Sequence, residues 1–167
     1  MEVIMRQETV GVTENLLKSA TEEFLEKGFM NASLRNISAK SGVSTNSIYT
    51  RFKDKEGLFS AIVKETADGL MKIYLDSIQK ATYSPDLNQA NHEGEEGTDF
   101  VLEYIYQHFT DFKLIFCCST GSQYEYFLDR LGEIEESYYQ ELVGKYGKAG
   151  YTVDRFFIHV FCRAGWQ

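Results

Sequence analysis

Leu16, Leu17, Ala20, Phe24 and Leu25 recur at intervals of three and four residues before Lys27-Gly28. That is the spacing of a helix with one apolar face. Thr13 is expected as its N-cap, with Glu14 in the first turn. Residues 1–12 lack a periodic pattern and are expected to form a frayed arm. Between Ser33 and Lys55 the pattern predicts two short helices. Leu34, Ile37 and Ala39 form the apolar side of the first, and Val43, Ile48 and Phe52 that of the second. Gly42 stands where the chain must turn sharply, a position suited to positive φ, and Ser44 offers its hydroxyl as the next N-cap. Asp54 is placed as the N-cap of a long fourth helix. Its apolar stripe runs through Leu58, Phe59, Ile62, Val63, Leu70, Ile73, Tyr74 and Ile78.

Residues 82–97 hold the one proline, two glycines and an acidic cluster, and read as a loop. From Thr98, the residues Phe100, Val101, Tyr104, Ile105, His108 and Phe109 make an apolar face. Residues 111–118 continue as a buried segment broken near Gly121. Tyr124 to Tyr146 reads as a long amphipathic helix, and Val153 to Ala164 as the start of another. With few strand-like alternations, the class is all-α. No apolar run approaches the roughly 20 residues that span a bilayer, and Glu2, Arg6 and Glu8 interrupt any signal-peptide core. A cytoplasmic, membrane-free protein is expected.

The second short helix carries a polar outward set of Thr45, Asn46, Ser47, Thr50 and Arg51, as in a helix-turn-helix whose second helix enters the DNA major groove. A formal charge of −8 argues against this until its distribution is counted. Residues 33–57 hold five Lys/Arg and two Asp/Glu, for +3. Residues 1–57 balance at eight against eight, so residues 58–167, with nine against seventeen, carry the whole deficit. A locally basic edge on an acidic body suits DNA contact through one end.

The stretch GFMNASLRNISAKSGVSTNSIYTRFKDKEGLF, with TENLLKSATEEFLEK before it, resembles the N-terminal domain of the tetracycline-repressor (TetR) family of transcription regulators. Phe24, Gly28-Phe29, Ser33, Ile37, Ala39, Gly42-Val43-Ser44, Ile48-Tyr49, Phe52, Lys55-Glu56 and Leu58 agree jointly. Asn36 replaces the usual acidic residue, and Asn46-Ser47 replaces a common Gly-Thr-like pair. The resemblance implies a three-helix DNA-binding head, residues 1–56, and a helical ligand-binding and dimerisation body, residues 57–167. It also implies at least one further helix after Gln167, so the body is expected to lack its last helix. Thr45, Asn46, Ser47 and Thr50 are candidates for base edges. Ser33, Tyr49, Arg51, Lys53 and Lys55 are candidates for phosphate contacts.

The aromatic density after residue 98 suggests an apolar cavity for a small ligand, with Phe100, Tyr104, His108, Phe112, Phe116, Tyr124 and Phe127 as candidate lining; ordinary core is the competing reading. His92, His108 and His159 show no ligand spacing, so no metal or cofactor is expected. The vicinal Cys117-Cys118 pair reads as buried thiols in preference to a sensor. No nucleophile elbow, phosphate loop or paired metal carboxylates is present, and no catalytic residue is assigned. The combined expectation is a homodimeric repressor of double-stranded DNA, released by an unknown small-molecule inducer. An activator or ligand-independent regulator of the same fold, or a helical carrier or enzyme, remains open.

Overall fold

A computed structural model describes residues 2–147 and 153–165, with side-chain surroundings for 11–147 and 153–164. The described residues form eight helices and no strand: α1 (Glu2–Asn31), α2 (Leu34–Ser41), α3 (Thr45–Phe52), α4 (Lys55–Thr82), α5 (Leu87–Gln107), α6 (Phe109–Cys117), α7 (Phe127–Tyr146) and α8 (Arg155–Gly165). They divide into two compact units. One comprises Met1–Ala67 with Phe109–Glu125, the other Asp68–His108 with Tyr126–Gln167.

Three expectations for the elements are corrected. The helix expected from Thr13 starts at Glu2, and Thr13 lies inside it. Residues 2–12 lack Pro and contain Glu, Met, Arg and Gln, good helix formers that extend an existing helix at little cost. The expected loop over 82–97 shrinks to four residues, 83–86, because α5 begins at Leu87. Asp86 caps it by accepting from the Gln89 N–H at 3.0 Å, and Gln89 donates to Glu93 one turn on. Ala90, Gly97 and Val101 are buried along it, so packing overrides a composition that reads as loop. The body helix expected from Tyr124 begins at Phe127, leaving Tyr124 buried in the turn before it.

In the first unit the core is aromatic. Phe24 meets Phe59 edge-on at 4.9 Å, Phe29 meets Phe59 at 5.3 Å, and Phe59 lies 5.9 Å from Tyr124. Phe24 and Phe59 are fully buried, each contributing about 1.5–3 kcal/mol of hydrophobic stabilisation. Gly28 adopts φ 70° and ψ 164°, a kink inside α1. The kink aims the Phe29 N–H at the Cys118 carbonyl, 2.7 Å away, and so ties the end of α1 to the end of α6. A β-carbon is disfavoured at that φ, which gives the Gly28-Phe29 pair a physical basis. Asp111 on α6 accepts from the buried Thr66 hydroxyl of α4 at 2.7 Å.

In the second unit α7 packs on α8. Arg163 of α8 pairs with Asp129 and lies 3.6 Å from Glu136, both on α7. Lys145 donates to the Thr82 and Ser84 carbonyls at 3.0 and 2.8 Å, and the Tyr146 hydroxyl donates to Ser84 at 3.0 Å. These bonds close the end of α4 against α7. Gly97 of α5 lies so near Ser77 of α4 that a β-carbon would stand 2.6 Å from its Cβ. No helix among the described residues is long and apolar enough to cross a membrane.

Candidate nucleic-acid interface

α2 and α3 are set by local chemistry. Gly42 ends α2 at φ 71°, returning its N–H to the Ser38 carbonyl. Ser44 caps α3, its hydroxyl accepting from the Ser47 N–H at 3.1 Å. Ile37, Val43 and Ile48 are buried, and Phe52 is half-buried. Ala39, expected on the apolar side of α2, is exposed instead. It stands two residues from Ile37, about 200° around the helix.

The remaining face of α3 is polar and open. Asn46, Tyr49, Thr50 and Arg51 are exposed, and Thr45 and Ser47 are half-buried. The Thr50 hydroxyl donates back to the Asn46 carbonyl at 2.9 Å, and the Ser47 and Ser44 hydroxyls lie 2.9 Å apart. Arg51 Nη1 donates to Thr13 Oγ1 at 2.9 Å, which holds the guanidinium against α1. α3 ends in a three-residue γ-turn. Lys53 has φ 71° and ψ −51°, and the Asp54 N–H reaches the Phe52 carbonyl at 2.9 Å. Lys53 is exposed there. Asp54 caps α4 through its bond from the Gly57 N–H at 2.7 Å, and a β-carbon on Gly57 would run into the Phe52 carbonyl. The path from α3 to α4 therefore has no slack.

Two further candidates, Lys55 and Ser33, also have structural partners. Lys55 Nζ donates to the Met30 carbonyl at 2.9 Å and the Ala32 carbonyl at 3.3 Å, and sits 4.8 Å from the centre of the Phe29 ring. The Ser33 N–H donates to Glu23 at 3.2 Å, and Ser33 is half-buried at the start of α2.

Glu23 is the residue the sequence reading missed. It is 2% exposed and also accepts from Asn36 at 3.1 Å and from Lys40 at 3.5 Å. Burial alone would raise its pKa, but the bonds from Asn36, the Ser33 N–H and Lys40 outweigh it and hold the carboxyl below its ordinary value. The signal was available: Glu23 falls three residues after Ala20 and beside Phe24, on the buried stripe of α1. Asn36, which departs from the family pattern, supplies an amide donor where an acidic side chain would face a buried carboxylate.

The seven candidate pocket residues are divided between the two units. In the first unit Phe112 and Tyr124 are buried, and Phe116 is half-buried 5.3 Å from Phe112. In the second, Phe127 is buried, the Tyr104 and His108 rings are tilted with centres 4.5 Å apart, and Phe100 is 56% exposed. None lines the cavity of about 520 Å³ that α4, α5 and α7 form in the second unit. Its apolar lining includes Ile78, Val101, Ile105 and Leu142, with Tyr74, Tyr138 and Tyr139, and it carries Glu95 and Glu135. Phe100 and Tyr104 line a more open groove of about 340 Å³ instead. Of the cysteines, Cys118 and Cys162 are buried and Cys117 is exposed. Burial, then the charge on Glu135 and Glu136, pushes the Cys162 thiol up to about 11.

Comparison with known proteins bears on the helix-turn-helix directly. The profile of bacterial regulatory proteins of the tetR family matches residues 16–62. The HTH-type transcriptional repressor DhaR of Mycobacterium sp. (strain GP1) is 26% identical over 74 residues. That alignment covers 44% of this chain and 37% of the repressor, little more than a third of that protein's length. A transcriptional regulator of the TerR/AcrR family from Aquifex aeolicus VF5 superposes with a TM-score of 0.51 at 18% identity, over 92% of this chain and 96% of that one. A TetR-family regulator from Syntrophomonas wolfei str. Goettingen superposes with a TM-score of 0.54 at 17% identity, over 95% and 94%. At such identities the likeness is one of fold. Residues 16–62 are thus the helix-turn-helix headpiece of the TetR family of bacterial regulatory proteins, and the chain has the all-α fold of that family's regulators.

Proposed function

We propose that this chain is a DNA-binding transcriptional regulator, a repressor that acts as a homodimer on a palindromic operator and is released by a small molecule. The observation that carries the DNA reading is the division of α3: Ile48 is fully buried while Asn46, Tyr49, Thr50 and Arg51 are exposed. Thr45, Asn46, Ser47 and Thr50 are assigned to base edges. Tyr49, Arg51 and Lys53 are assigned to phosphates. Ser33 and Lys55 stand behind them as positioning residues.

The homodimer reading is supported by α8, which buries Ile158 and Cys162 but leaves Phe156, Phe157, Val160 and Phe161 between 47% and 73% exposed. Such a face is unfavourable in water and suits a second copy of the chain. The ligand reading is supported by the cavity among α4, α5 and α7, whose size lies within the range of about 300–1,000 Å³ usual for small-molecule sites. A ligand that prefers one arrangement of the dimer shifts its population by no more than its differential affinity.

Selection of binding sites from randomised duplexes tests the proposal. Recovery of a palindrome with half-site centres roughly 34–36 Å apart supports a dimer reading successive major grooves. Asn46→Ala then changes the preferred bases. A carrier or enzyme would select no site.

A further inference from the structure

Taking α3 as the element that enters the major groove, we infer that each half-site presents A·T pairs to it: Asn46 reads an adenine, and Thr50 meets a thymine methyl within two base-pair steps. The inference rests on the DNA reading above and names the bases that this face of α3 selects. Asn46 is exposed, and among the described residues its side-chain amide makes no hydrogen bond, since only its backbone carbonyl is engaged. A carboxamide offers one donor and one acceptor side by side. Adenine alone shows the matching N7 acceptor and N6 donor in the major groove. Thr50 is also exposed, one turn on, but its hydroxyl donates to the Asn46 carbonyl at 2.9 Å. That proton is committed to the helix, and the methyl is the group left to present. Thymine carries a methyl on its major-groove edge, and contact between two methyls removes both from water. Residues 46 and 50 stand about 6 Å apart along α3, less than two duplex steps of about 3.4 Å.

The rest of α3 supplies no reader of G·C. Cytosine is recognised by a carboxylate, and Thr45–Phe52 contains neither Asp nor Glu. Guanine is recognised by Arg or Lys. The one cation of α3, Arg51, lies in the last turn with its Nη1 donating to Thr13 Oγ1 at 2.9 Å, whereas the N-terminal residues of such a helix meet the bases. Lys53 follows at the γ-turn, and Lys55 Nζ is turned to the Met30 and Ala32 carbonyls. Thr45 and Ser47 are half-buried, and the Ser47 hydroxyl lies 2.9 Å from that of Ser44. A hydroxyl serves either kind of pair, so Asn46 and Thr50 carry the preference.

Site selection with the full chain, followed by base analogues in the selected duplex, tests the assignment. The half-site should hold an invariant adenine and an invariant thymine within two steps of each other. In that duplex 7-deazaadenine, which lacks the N7 acceptor, should weaken wild-type binding about fivefold or more. Deoxyuridine in place of the thymine, which lacks the methyl, should weaken it about threefold. Asn46→Ala should lose the response to 7-deazaadenine only, and Thr50→Ser, which keeps the hydroxyl, the response to deoxyuridine only. A palindrome without the two invariant bases, or wild-type binding indifferent to both analogues, overturns the base assignment and leaves the DNA reading standing. Recovery of no preferred sequence overturns both. An Asn46→Ala chain as sensitive to 7-deazaadenine as the wild type gives the adenine to another residue and overturns the assignment. The wild-type comparison of the three duplexes decides the bases whether or not the variants fold.

Discussion

Glu23→Ala tests whether the buried carboxylate of α1 orients the helix-turn-helix. Glu23 is 2% exposed and accepts from the Ser33 N–H, Asn36 Nδ2 and Lys40 Nζ. Hydrogen bonds to a charged group contribute about 1.5–3 kcal/mol each, so losing the two closer ones costs about 3–6 kcal/mol. The Lys40 side chain is 43% exposed, and a pair so open to solvent adds about 0–1 kcal/mol. Glu23→Gln keeps an acceptor oxygen for Ser33 and Asn36 but turns an amide N–H₂ toward Lys40, and should cost about 1–2 kcal/mol. The pH dependence has a definite sign. Because the folded carboxyl titrates below its ordinary value, its stabilisation is complete above the unfolded pKa of about 4.3. It is lost as pH falls through the lower, folded pKa. Urea unfolding of the wild type and both variants, at pH 7 and through the acid range, measures these effects. The expected order is wild type, Gln, Ala, with a flatter acid limb in the Gln variant. A Glu23→Ala chain within about 0.5 kcal/mol of wild type, the range of ordinary surface changes, would refute the reasoning.

Three further substitutions separate roles within the headpiece. Arg51→Ala should weaken duplex binding across all sequences and lower the slope of log K against log salt by about 1; an unchanged slope removes Arg51 from the phosphate contacts. Lys55→Ala should leave that slope unchanged and cost about 1–2 kcal/mol in urea unfolding, since its ammonium holds two carbonyls and an aromatic face. Lys53→Gly should raise stability by about 1 kcal/mol, because a non-glycine residue at the γ-turn's positive φ is strained. A fall in stability on that change would show that the Lys53 side chain, not backbone strain, dominates.

The headpiece was legible because its determinants are local. Gly42 at the turn and the caps Ser44 and Asp54 act within four residues of themselves, and each stands where the residue pattern places it. α5 was not legible. Its first half carries Gly94, Gly97 and an acidic run, and it is helical because Gly97 allows close approach to Ser77 and because Ala90 and Val101 are buried. Those contacts are long-range and leave no periodic trace. The cavity was hidden for a related reason. The conspicuous aromatics Phe112, Tyr124 and Phe127 fill core, whereas the lining comes from three helices distant in sequence. Glu23 shows the converse case, in which a charged residue on an apolar stripe is itself the signal.

The most direct test of the DNA reading is photocrosslinking from α3. Tyr49 is 53% exposed on α3, and Tyr83 is 78% exposed between α4 and α5. Benzoylphenylalanine at each position in turn, with a selected duplex bound, should give DNA adducts confined to the two half-sites from position 49 and none from position 83. Adducts from position 83 with none from position 49 would contradict the assignment of α3 as the element that enters the groove.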